Sequence, residues 1–363
     1  MANQSFLDRI GIRVPIIQAP MAGTSTPTMA GAVSEAGGLG SIAVGATDAA
    51  SAEALIAEVR QRTARAFNVN LFCHRPAKAD AGVERRWIDR FQPQFAEFGA
   101  EPPVALTAIY RSFVEDEEML DLLLRVRPPV VSFHFGMPRG EWIRSLRDAG
   151  TVLLATATSL AEARAAQEAG IDAVVAQGWE AGGHRGMSDP DALDERLPAL
   201  DLVRRISSEL NLPVIAAGGI MDGAGIARAL NAGACAAQLG TAFIACDESL
   251  ADEGFRAALA SPAAHQTIMT RAISGRPARC LNNRFTALGA DIPAYDVPAY
   301  PIAYDLGKAL NAAAKARGEY GFGAQWAGVG APDFRAMSAG QLVQTLAEEL
   351  RQANMEGEGN CHE

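Results

Sequence analysis

The stretch AAGGIMDGAGIARALNAGACAAQLGT, residues 216–241, decides the fold. An apolar run ends in Gly218–Gly219, a helical pattern follows at Gly223–Asn231, and a second apolar run, Ala236–Leu239, ends in Gly240–Thr241. A strand, a helix and a strand at this spacing predict one unit of a parallel sheet. Glycine turns after two late strands indicate a phosphate bound by backbone N–H groups, because a Cβ would block the phosphate oxygens. Tight turns without a ligand are the alternative.

The same alternation of apolar runs and helical patterns extends outward along the chain. Further strands are predicted at Val14–Pro20, Leu39–Val44, Phe67–Cys73, Val104–Ala108, Val130–Phe135, Val152–Thr156, Ala173–Gln177 and Val214–Ala217. These runs are continuously apolar, as in strands whose two faces are both covered. Seven or eight strand–helix units favour an α/β fold of the TIM (β/α)8 barrel type. An open doubly wound sheet is the alternative, but the chain contains no GxGxxG motif.

Two segments interrupt this repeat. Residues 76–103 carry a basic helical pattern with aromatic residues, and residues from about 262 to 332 are irregular and rich in Pro, Tyr and Gly. We therefore predict a barrel formed by residues 1–75 and 104–261, and a smaller substrate-side elaboration formed by residues 76–103 and 262–363. Within the latter, Ser338 and Gln341 form a capping box before an apolar stripe, which predicts a helix that packs on the body.

Composition excludes several classes of function. The formal charge of −10 gives no electrostatic reason to bind nucleic acid or an anionic membrane. The five cysteines form no CxxC pair, which predicts reduced thiols and no metal site. The first 15 residues show no basic segment followed by an apolar run, and no apolar run approaches 18 residues, so we expect a soluble, cytoplasmic protein with small-molecule partners. Its oligomeric state is not predicted.

The loop QGWEAGGHRG, residues 177–186, follows a predicted strand and contains His184. A histidine at the carboxyl end of a barrel strand can act as a general base near neutral pH. Glu180 and Arg185 are expected to orient it or to pair with each other. A structural histidine is the alternative. Because the chain shows no GxSxG, HExxH or P-loop motif, we expect a cofactor to supply the difficult step.

Three other stretches carry candidate site residues. QAPMAG, residues 18–23, ends the first strand in a turn that suits a cofactor ring, although a simple strand end fits equally well. Asn70 and His134 are single polar residues inside apolar strands, where a ligand could supply their hydrogen-bonding partners; for His134 a core histidine is the alternative. In YPIAYDLGK, residues 300–308, Tyr304 and Lys308 share one helix face that begins near Tyr300. This face indicates an anion-binding wall, or else an ordinary amphipathic helix.

These stretches together resemble the signature motifs of class I nitronate monooxygenases, formerly called 2-nitropropane dioxygenases. The resemblance rests on QAPMAGTSTPTMAGAVSEAGGLGSI, NVNLFCHRP, VSFHFGMP and GWEAGGHRG, in order, and extends through AAGGIMDG, QLGTAF and YPIAYDLGK over roughly residues 14–330. It implies a TIM barrel that binds FMN and oxidises alkyl nitronates, notably propionate 3-nitronate, with dioxygen, by single-electron transfer to the flavin and without a nicotinamide cofactor.

The resemblance also implies site residues. The implied catalytic residue is His184. Those implied for the cofactor are Asn70, Gln177, Gly182, Gly219, Gln238, Leu239, Gly240 and Thr241. The turns and the glycine loop described above add Ala22, Gly183 and Gly218 as cofactor-binding candidates. Those implied for the substrate are Tyr110, His134, Tyr300, Tyr304 and Lys308. Two other functions stay open: an NAD(P)H:quinone reductase on the same flavin barrel, and a barrel that binds a flavin or phosphate without catalysis.

Overall fold

The computed structural model describes the backbone of residues 2–359 and the side chains of residues 5–356. Its strands, numbered in chain order, are β1 (Ile16–Gln18), β2 (Gly40–Ala43), β3 (Phe67–Phe72), β4 (Val130–His134), β5 (Val152–Ala157), β6 (Ala173–Gln177), β7 (Gly183–His184), β8 (Val214–Ala217), β9 (Ala236–Leu239), β10 (Thr267–Thr270) and β11 (Ala278–Leu281). Eight of them form a parallel sheet in the order β1-β9-β8-β6-β5-β4-β3-β2. A parallel bridge between Ile17 and Leu39 joins its two edges. The predicted TIM barrel is therefore confirmed.

Helices alternate with these strands, and side-chain caps start many of them. They are α1 (Ala2–Arg9), α2 (Pro27–Glu35), α3 (Ala49–Arg62), α4 (Ala81–Glu97), α5 (Glu117–Val126), α6 (Gly140–Asp148), α7 (Leu160–Ala169), α8 (Ala199–Glu209), α9 (Gly223–Asn231), α10 (Glu253–Leu259), α11 (Arg284–Leu288), α12 (Ile302–Lys315) and α13 (Ala339–Gly359). Ser159 caps α7 by accepting a hydrogen bond from Glu162 N–H, and Gly170 ends it in the left-handed region.

The barrel interior changes character along its axis. At the amino-terminal end of the strands, Phe6 and Ile10 pack with inward-facing residues such as Val130 and Leu154 in a fully apolar cluster. The chain segment before β1 therefore closes this end. At the carboxyl end the inward-facing positions become polar, and any ligand site must lie there.

The elaboration has a hydrophobic core of its own. Trp87 and Phe91 of α4 are buried against Phe285 and Leu306, so the insertion after β3 packs on the carboxy-terminal segment. That segment is more regular than the sequence suggests: β10 and β11 form an antiparallel hairpin, which β7 extends to three strands. The expectation of an irregular stretch from 262 to 332 is therefore wrong, because such short strands leave little periodicity to detect. The division of the chain near residue 261 stays a prediction.

The strand predicted at Val104–Ala108 is also wrong. The segment has no regular structure, and Val104 is 95% exposed. Two prolines precede it, and a proline has no N–H to donate to a sheet. Its backbone is instead held by Asp305, which accepts the Thr107 N–H at 2.8 Å. Without this segment, the remaining predicted strands account for the eight positions of the barrel.

The last helix, α13, packs on the barrel as expected. Its residues Leu342, Val343 and Leu346 are buried in the same cluster as Ile226 of α9, and Ser338 and Gln341 exchange the hydrogen bonds of a capping box. Four cysteines are free and buried, as predicted, and Cys361 lies outside the described residues. Among the helices described here, none is long and apolar enough to cross a membrane.

Candidate active site

His184 lies on the short strand β7 rather than in a free loop. β7 pairs antiparallel with β11, so that His184 stands opposite Ala278 and Gly183 opposite Arg279. The Gln177 side chain, at the end of β6, donates from Nε2 to the His184 carbonyl at 2.9 Å. The histidine backbone is therefore attached both to the small sheet of the elaboration and to the carboxyl end of the barrel.

Arg185 anchors the same strand from inside the protein. It is 1% exposed, and its Nε and Nη2 donate to the two carboxylate oxygens of Asp194 at 2.8 and 2.9 Å. Nη1 donates to the carbonyls of Gln177 and Gly178. Burial raises the pKa of Asp194, but hydrogen bonds from Arg185 and Arg196 outweigh it and hold that pKa below its ordinary value.

The expected pairing of Glu180 with Arg185 is wrong. The Glu180 carboxylate instead accepts the backbone N–H of Ala199 at 3.0 and 3.2 Å, at the start of α8. A carboxylate at a helix amino terminus is stabilised by the unpaired N–H groups there. Glu180 therefore fixes the loop to α8, and Asp194 takes the role of counterion to Arg185.

The His184 ring is half-buried among aromatic side chains. Its Nε2 lies 2.8 Å from Ser274 Oγ, and its centroid lies 5.0 Å from Trp326 and 5.4 Å from Tyr300. Phe135 stands 5.5 Å away at nearly a right angle. These contacts fix the ring plane, because the neighbouring rings are themselves buried or half-buried.

His134, at the end of β4, is held by hydrogen bonds at both ring nitrogens. Nε2 lies 3.3 Å from the His184 carbonyl, and Nδ1 lies 2.9 Å from Thr156 Oγ1. A carbonyl only accepts, so Nε2 carries the proton and Nδ1 accepts from the Thr156 hydroxyl. His134 is thus adjacent to His184 and braces its backbone, and its predicted contact with substrate stays a prediction.

Three histidines of this region are uncharged at neutral pH. Burial and the nearby Arg276 lower the pKa of His134 to about 3 and that of His74 to about 4. Burial, His134 and Arg276 hold the pKa of His184 well below its usual range. A neutral imidazole can donate at one nitrogen and accept at the other, which suits it to binding or proton transfer.

The expected wall of phenols and one ammonium is present next to His184. The Tyr304 ring lies 5.9 Å from Tyr110 and 6.3 Å from His184, and Tyr300 lies 6.4 Å from Tyr110. The Lys308 ammonium stands 4.9 Å from the Tyr110 ring centroid and 5.7 Å from that of Tyr304. Five residues from three separate elements therefore meet as the sequence predicts.

The charges of this wall follow from its burial. Burial raises the pKa of Tyr110 to about 12 and holds those of Tyr300 and Tyr304 above their ordinary range, so all three phenols keep their protons. Burial also lowers the pKa of Lys308, although that side chain is the most exposed of the group. The wall thus offers O–H donors and one cation.

The two glycine turns leave backbone donors unused. Within residues 2–359, the N–H groups of Gly218, Gly219, Gly240 and Thr241 donate to no other protein group. Gly218 and Gly219 have φ of 124° and 70°, in the region that favours glycine. Successive free N–H groups at the ends of β8 and β9 form a concavity that suits a phosphate.

The polar strand ends leave specific atoms free for a ligand. Both Asn70 Nδ2 hydrogens are used by the backbone oxygen and Oγ of Ser132, which leaves Oδ1 as an acceptor. Gln177 Oε1 accepts the Gly186 N–H at 2.8 Å. Its Nε2 donates one hydrogen to the His184 carbonyl, so the second hydrogen on Nε2 remains free. Among the described residues, the Gln238 side chain and the Ala22 N–H also form no hydrogen bond with another protein group.

The glycines of the histidine loop are required by close packing. A Cβ on Gly182 would stand 2.4 Å from the backbone nitrogen of Gly328, and Gly183 has a φ of 75°. Gly328 in turn donates its N–H to Thr241 Oγ1 at 2.9 Å. The loop therefore closes on the turn after β9, which brings the two glycine-rich stretches together.

The sequence analysis did not identify four residues of the site. Ser274 and Trp326 contact His184, and Phe135 contacts His134. Arg276 packs on the opposite side of the Phe135 ring. His74, which the sequence analysis did not single out, stands 5.0 Å from Tyr300. The glycine beside Ser274 and Arg276 was the available signal, since Gly275 has a φ of 92° and packs on the backbone at Pro298–Tyr300. No group of three or more metal-binding side chains occurs within the described residues.

Comparisons with known proteins agree with this geometry. A family model described as "Nitronate monooxygenase" matches residues 3–349. The chain is 56% identical over 351 residues to a nitronate monooxygenase of Paraburkholderia phytofirmans, covering 97% of this chain and 96% of the relative. It is 53% identical to a nitronate monooxygenase of Pseudomonas aeruginosa, with 95% and 99% covered.

Solved structures show the same architecture. A nitroalkane oxidase from Streptomyces ansochromogenes superposes with a TM-score of 0.88 at 42% identity, covering 97% of this chain and 99% of that one. FabK from Thermotoga maritima superposes with a TM-score of 0.75 at 28% identity, with 98% of each chain covered.

Proposed function

The chain belongs to the nitronate monooxygenase family and is an oxidoreductase enzyme, and we propose that it oxidises alkyl nitronates with FMN and dioxygen. The observation that carries the proposal is the wall beside His184, which presents three protonated phenols and the Lys308 ammonium. A nitronate is an anion, and such a wall supplies hydrogen-bond donors and positive charge. Propionate 3-nitronate, which also carries a carboxylate, is the substrate that this arrangement suits best.

Each part of the wall has a distinct task in substrate binding. The Trp326 ring lies 6.3 Å from the Tyr304 ring and packs beside its phenol. Tyr110 and Tyr304 flank the Lys308 ammonium. The ammonium would hold the substrate carboxylate, and the phenols would orient the nitronate group toward His184. His134 would keep the His184 backbone in place.

The hydrogen bond between Ser274 and His184 determines what the imidazole offers. When Nε2 donates to Ser274 Oγ, Nδ1 is left as an acceptor that can take a proton from the α-carbon of a neutral nitroalkane. When the Ser274 hydroxyl donates to Nε2, Nδ1 carries a hydrogen and can bind a nitronate oxygen. A hydroxyl group permits both arrangements, so His184 can serve either protonation state of the substrate.

The residues present fit FMN. Gly218, Gly219, Gly240 and Thr241 would hold the phosphate through their unused N–H groups. Asn70 Oδ1, the remaining Gln177 N–H and the Gln238 amide would meet the polar edge of the ring system, with Ala22, Gly182, Gly183 and Leu239 beside it. When bound, the flavin would accept an electron from the nitronate and provide for reaction with dioxygen.

Anaerobic mixing tests this proposal. Purified protein should be yellow and should release FMN, not FAD, on denaturation, because the chain offers one phosphate site. Mixing with propionate 3-nitronate without oxygen should bleach the visible flavin absorbance rapidly, whereas NADH or NADPH should do so far more slowly. Colourless protein that takes up no FMN would refute the cofactor assignment.

The other outcomes identify the alternatives. Rapid bleaching by NADH or NADPH, with a slow response to nitronate, would indicate a quinone reductase. Bound FMN that responds to neither reductant would indicate a binding protein. The ratio of the two rates therefore decides the function on the protein as purified.

A further inference from the structure

Arg276 is a buried cation that lacks a counterion. Its side chain is 2% exposed, and among the described residues no carboxylate lies within 4.0 Å of it. Nη2 donates to the Met187 carbonyl, while Nε is buried without a hydrogen-bond partner. An unpaired buried charge is costly, so a retained one calls for an explanation.

Two other buried arginines show how this chain normally satisfies such a group. Arg185 is equally buried, yet it forms a two-point ion pair with Asp194 and donates to two carbonyls. Arg279 donates from Nε and Nη2 to the Trp179 carbonyl and from Nη1 to Thr267. Within the described part of the chain, all three guanidinium nitrogens donate to protein groups in Arg185 and in Arg279, although Arg279 also lacks a carboxylate partner, whereas Arg276 leaves its buried Nε without an acceptor.

The position of Arg276 places its charge behind the substrate wall. Its guanidinium carbon lies 4.3 Å from the centroid of Phe135. The other rings around Phe135 include His134 at 4.4 Å, Tyr300 at 5.3 Å and His184 at 5.5 Å. Only one aromatic ring therefore separates the guanidinium from the candidate catalytic histidine.

The backbone holds this arrangement in a costly conformation. Phe135 has a φ of 73°, a left-handed value that is unusual for a bulky residue. Strain of about 1–3 kcal/mol persists at such a residue only where the surroundings enforce it, and it is concentrated at functional sites. This backbone conformation directs the Phe135 ring into the space between the Arg276 guanidinium and the imidazoles of His134 and His184.

Other charges near Arg276 do not cancel it. The imidazoles of His74, His134 and His184 are neutral, and Tyr110, Tyr300 and Tyr304 keep their protons. Glu162 and Asp189 act on Arg276 only weakly, and each is already used, by Ser188 and by Arg75 respectively. Arg271, the other nearby cation, is paired with Asp191.

We propose that Arg276 is a specificity-determining residue, which makes the pocket select the nitronate anion over the neutral nitroalkane. Its unpaired charge, transmitted across Phe135, favours any anion bound beside His184 and leaves a neutral molecule of the same shape unaffected. This inference rests on the proposed function, although its central claim concerns anion binding. A solved structure 42% identical to this chain is that of a nitroalkane oxidase. Selection between the nitronate anion and the neutral nitroalkane is therefore relevant to this fold.

The test compares an anion and a neutral molecule in the same pocket. Arg276→Gln removes the charge but keeps an N–H donor for Met187, and Arg276→Lys keeps the charge. The two ring distances add to a separation on the order of 10 Å, where one charge at an effective dielectric of about 20 changes binding about 10- to 30-fold. We expect Arg276→Gln to weaken nitrite binding and to lower kcat/KM for ethyl nitronate by about this factor. Nitroethane binding should change less than about 3-fold.

Controls separate charge from packing. Arg125→Gln makes the same change in net charge at the opposite end of the barrel, in the last turn of α5, and should leave all three ligands unaffected. Arg276→Lys should retain most of the preference for anions. Equal losses for nitrite and nitroethane would show a packing role and overturn the proposal, as would an unchanged nitrite affinity.

The proposal remains testable if one variant does not fold or the proposed function fails. Should Arg276→Gln not fold, Arg276→Lys decides: the proposal expects nitrite affinity to be largely retained there, whereas a packing role expects nitrite and nitroethane to be weakened equally. Should the wild type not oxidise nitronates at all, the proposed function fails, while nitrite binding measured by calorimetry still tests the role of Arg276.

Discussion

Replacing Lys308 with Met should separate the binding of the substrate carboxylate from the rest of the reaction. The ammonium lies 4.9 Å from the Tyr110 ring and 5.7 Å from the Tyr304 ring, but the side chain is still exposed. A fully desolvated charge-assisted bond contributes about 1.5–3 kcal/mol, and an exposed ion pair at most about 1. The partial exposure of Lys308 therefore predicts a loss of about 1–2 kcal/mol.

That energy corresponds to a fall of about 5- to 30-fold in kcat/KM for propionate 3-nitronate. Ethyl nitronate has no carboxylate and should be affected less than about 2-fold, because it never contacts the ammonium. Both constants are measured by oxygen consumption with protein of equal FMN content. Lys315→Met is the matched control: it removes an ammonium from the same helix, where the group pairs with Asp252 at 2.5 Å instead of facing the pocket.

Equal losses on both substrates would mean that Lys308 supports the fold or the flavin. Unchanged values on both would mean that Tyr304 and Lys308 form an ordinary surface face. Either result would refute the assignment of the carboxylate to Lys308. Lys308→Arg should retain most of the activity on propionate 3-nitronate if charge is what the substrate requires.

Three further predictions follow from the cofactor turns, the buried ion pair and the histidines. Gly219→Ala adds a side chain at a φ of 70° with Glu180 Cβ 3.2 Å away, so FMN retention after dialysis should fall; Gly150→Ala, at a φ of 90° in open space, carries similar backbone strain and should keep its FMN. Asp194→Asn leaves Arg185 buried without a counterion, and should lower the unfolding free energy by about 3–5 kcal/mol in denaturant titrations. Because the pKa of Asp194 is lowered in the folded state, the wild-type advantage exists above the unfolded pKa of about 3.9 and disappears as the pH falls through the folded value; an advantage that persists below it would contradict the assignment. The lowered histidine pKa values predict that kcat/KM shows no ionisation near 6.5, and that stability falls below about that pH as the unfolded chain takes up protons that the native state does not; a kinetic pKa near 6.5 that vanishes in His184→Asn would contradict this.

The barrel was predictable because its elements are marked locally. The bounds of β6, β8, α9 and β9 agree with the sequence-based prediction to the residue. These elements are bounded by a capping side chain or a glycine, such as Asp222 before α9 and Gly218 after β8. Signals of this kind lie within a few residues of each element's ends, so the local sequence is sufficient to locate the element.

The small sheet was not predictable, because its pairing is non-local. β7 contributes two residues, and its partner β11 lies about ninety residues later in the chain. Two residues carry no periodicity. The apolar run Val104–Ala108 shows in turn that composition alone misleads when the prolines beside a run argue against a strand. Register against a distant strand is decided by packing, which the local sequence does not encode.

The residues of the candidate site likewise fall into those that the local sequence identifies and those that only long-range packing brings to the site. His184, Tyr300, Tyr304 and Lys308 were singled out because glycines or helical spacing surround them, whereas Tyr110 was implied only by the family resemblance; all five lie together. Ser274 and Arg276 lie between β10 and β11, in a segment whose position depends on the Gly275 backbone packing on Tyr300. Phe135 was hidden for another reason, since its significance lies in its φ of 73° and not in its residue type.

The placement of His184 explains how this architecture can change its substrate without changing its cofactor site. The histidine carbonyl bonds to Gln177 and lies within 3.3 Å of His134, both at strand ends of the barrel, whereas its ring bonds to Ser274 of the elaboration. The backbone position is therefore determined by the layer that would bind the flavin, and the ring direction by the layer that faces the substrate. Substitutions at Ser274, Arg276 or along α12 can alter the charge and protonation of the pocket while the turns after β8 and β9 stay intact. Since the guanidinium of Arg276 reaches the histidines through one strained phenylalanine, the proposed choice between anionic and neutral substrates would depend on a contact that no single barrel strand contains.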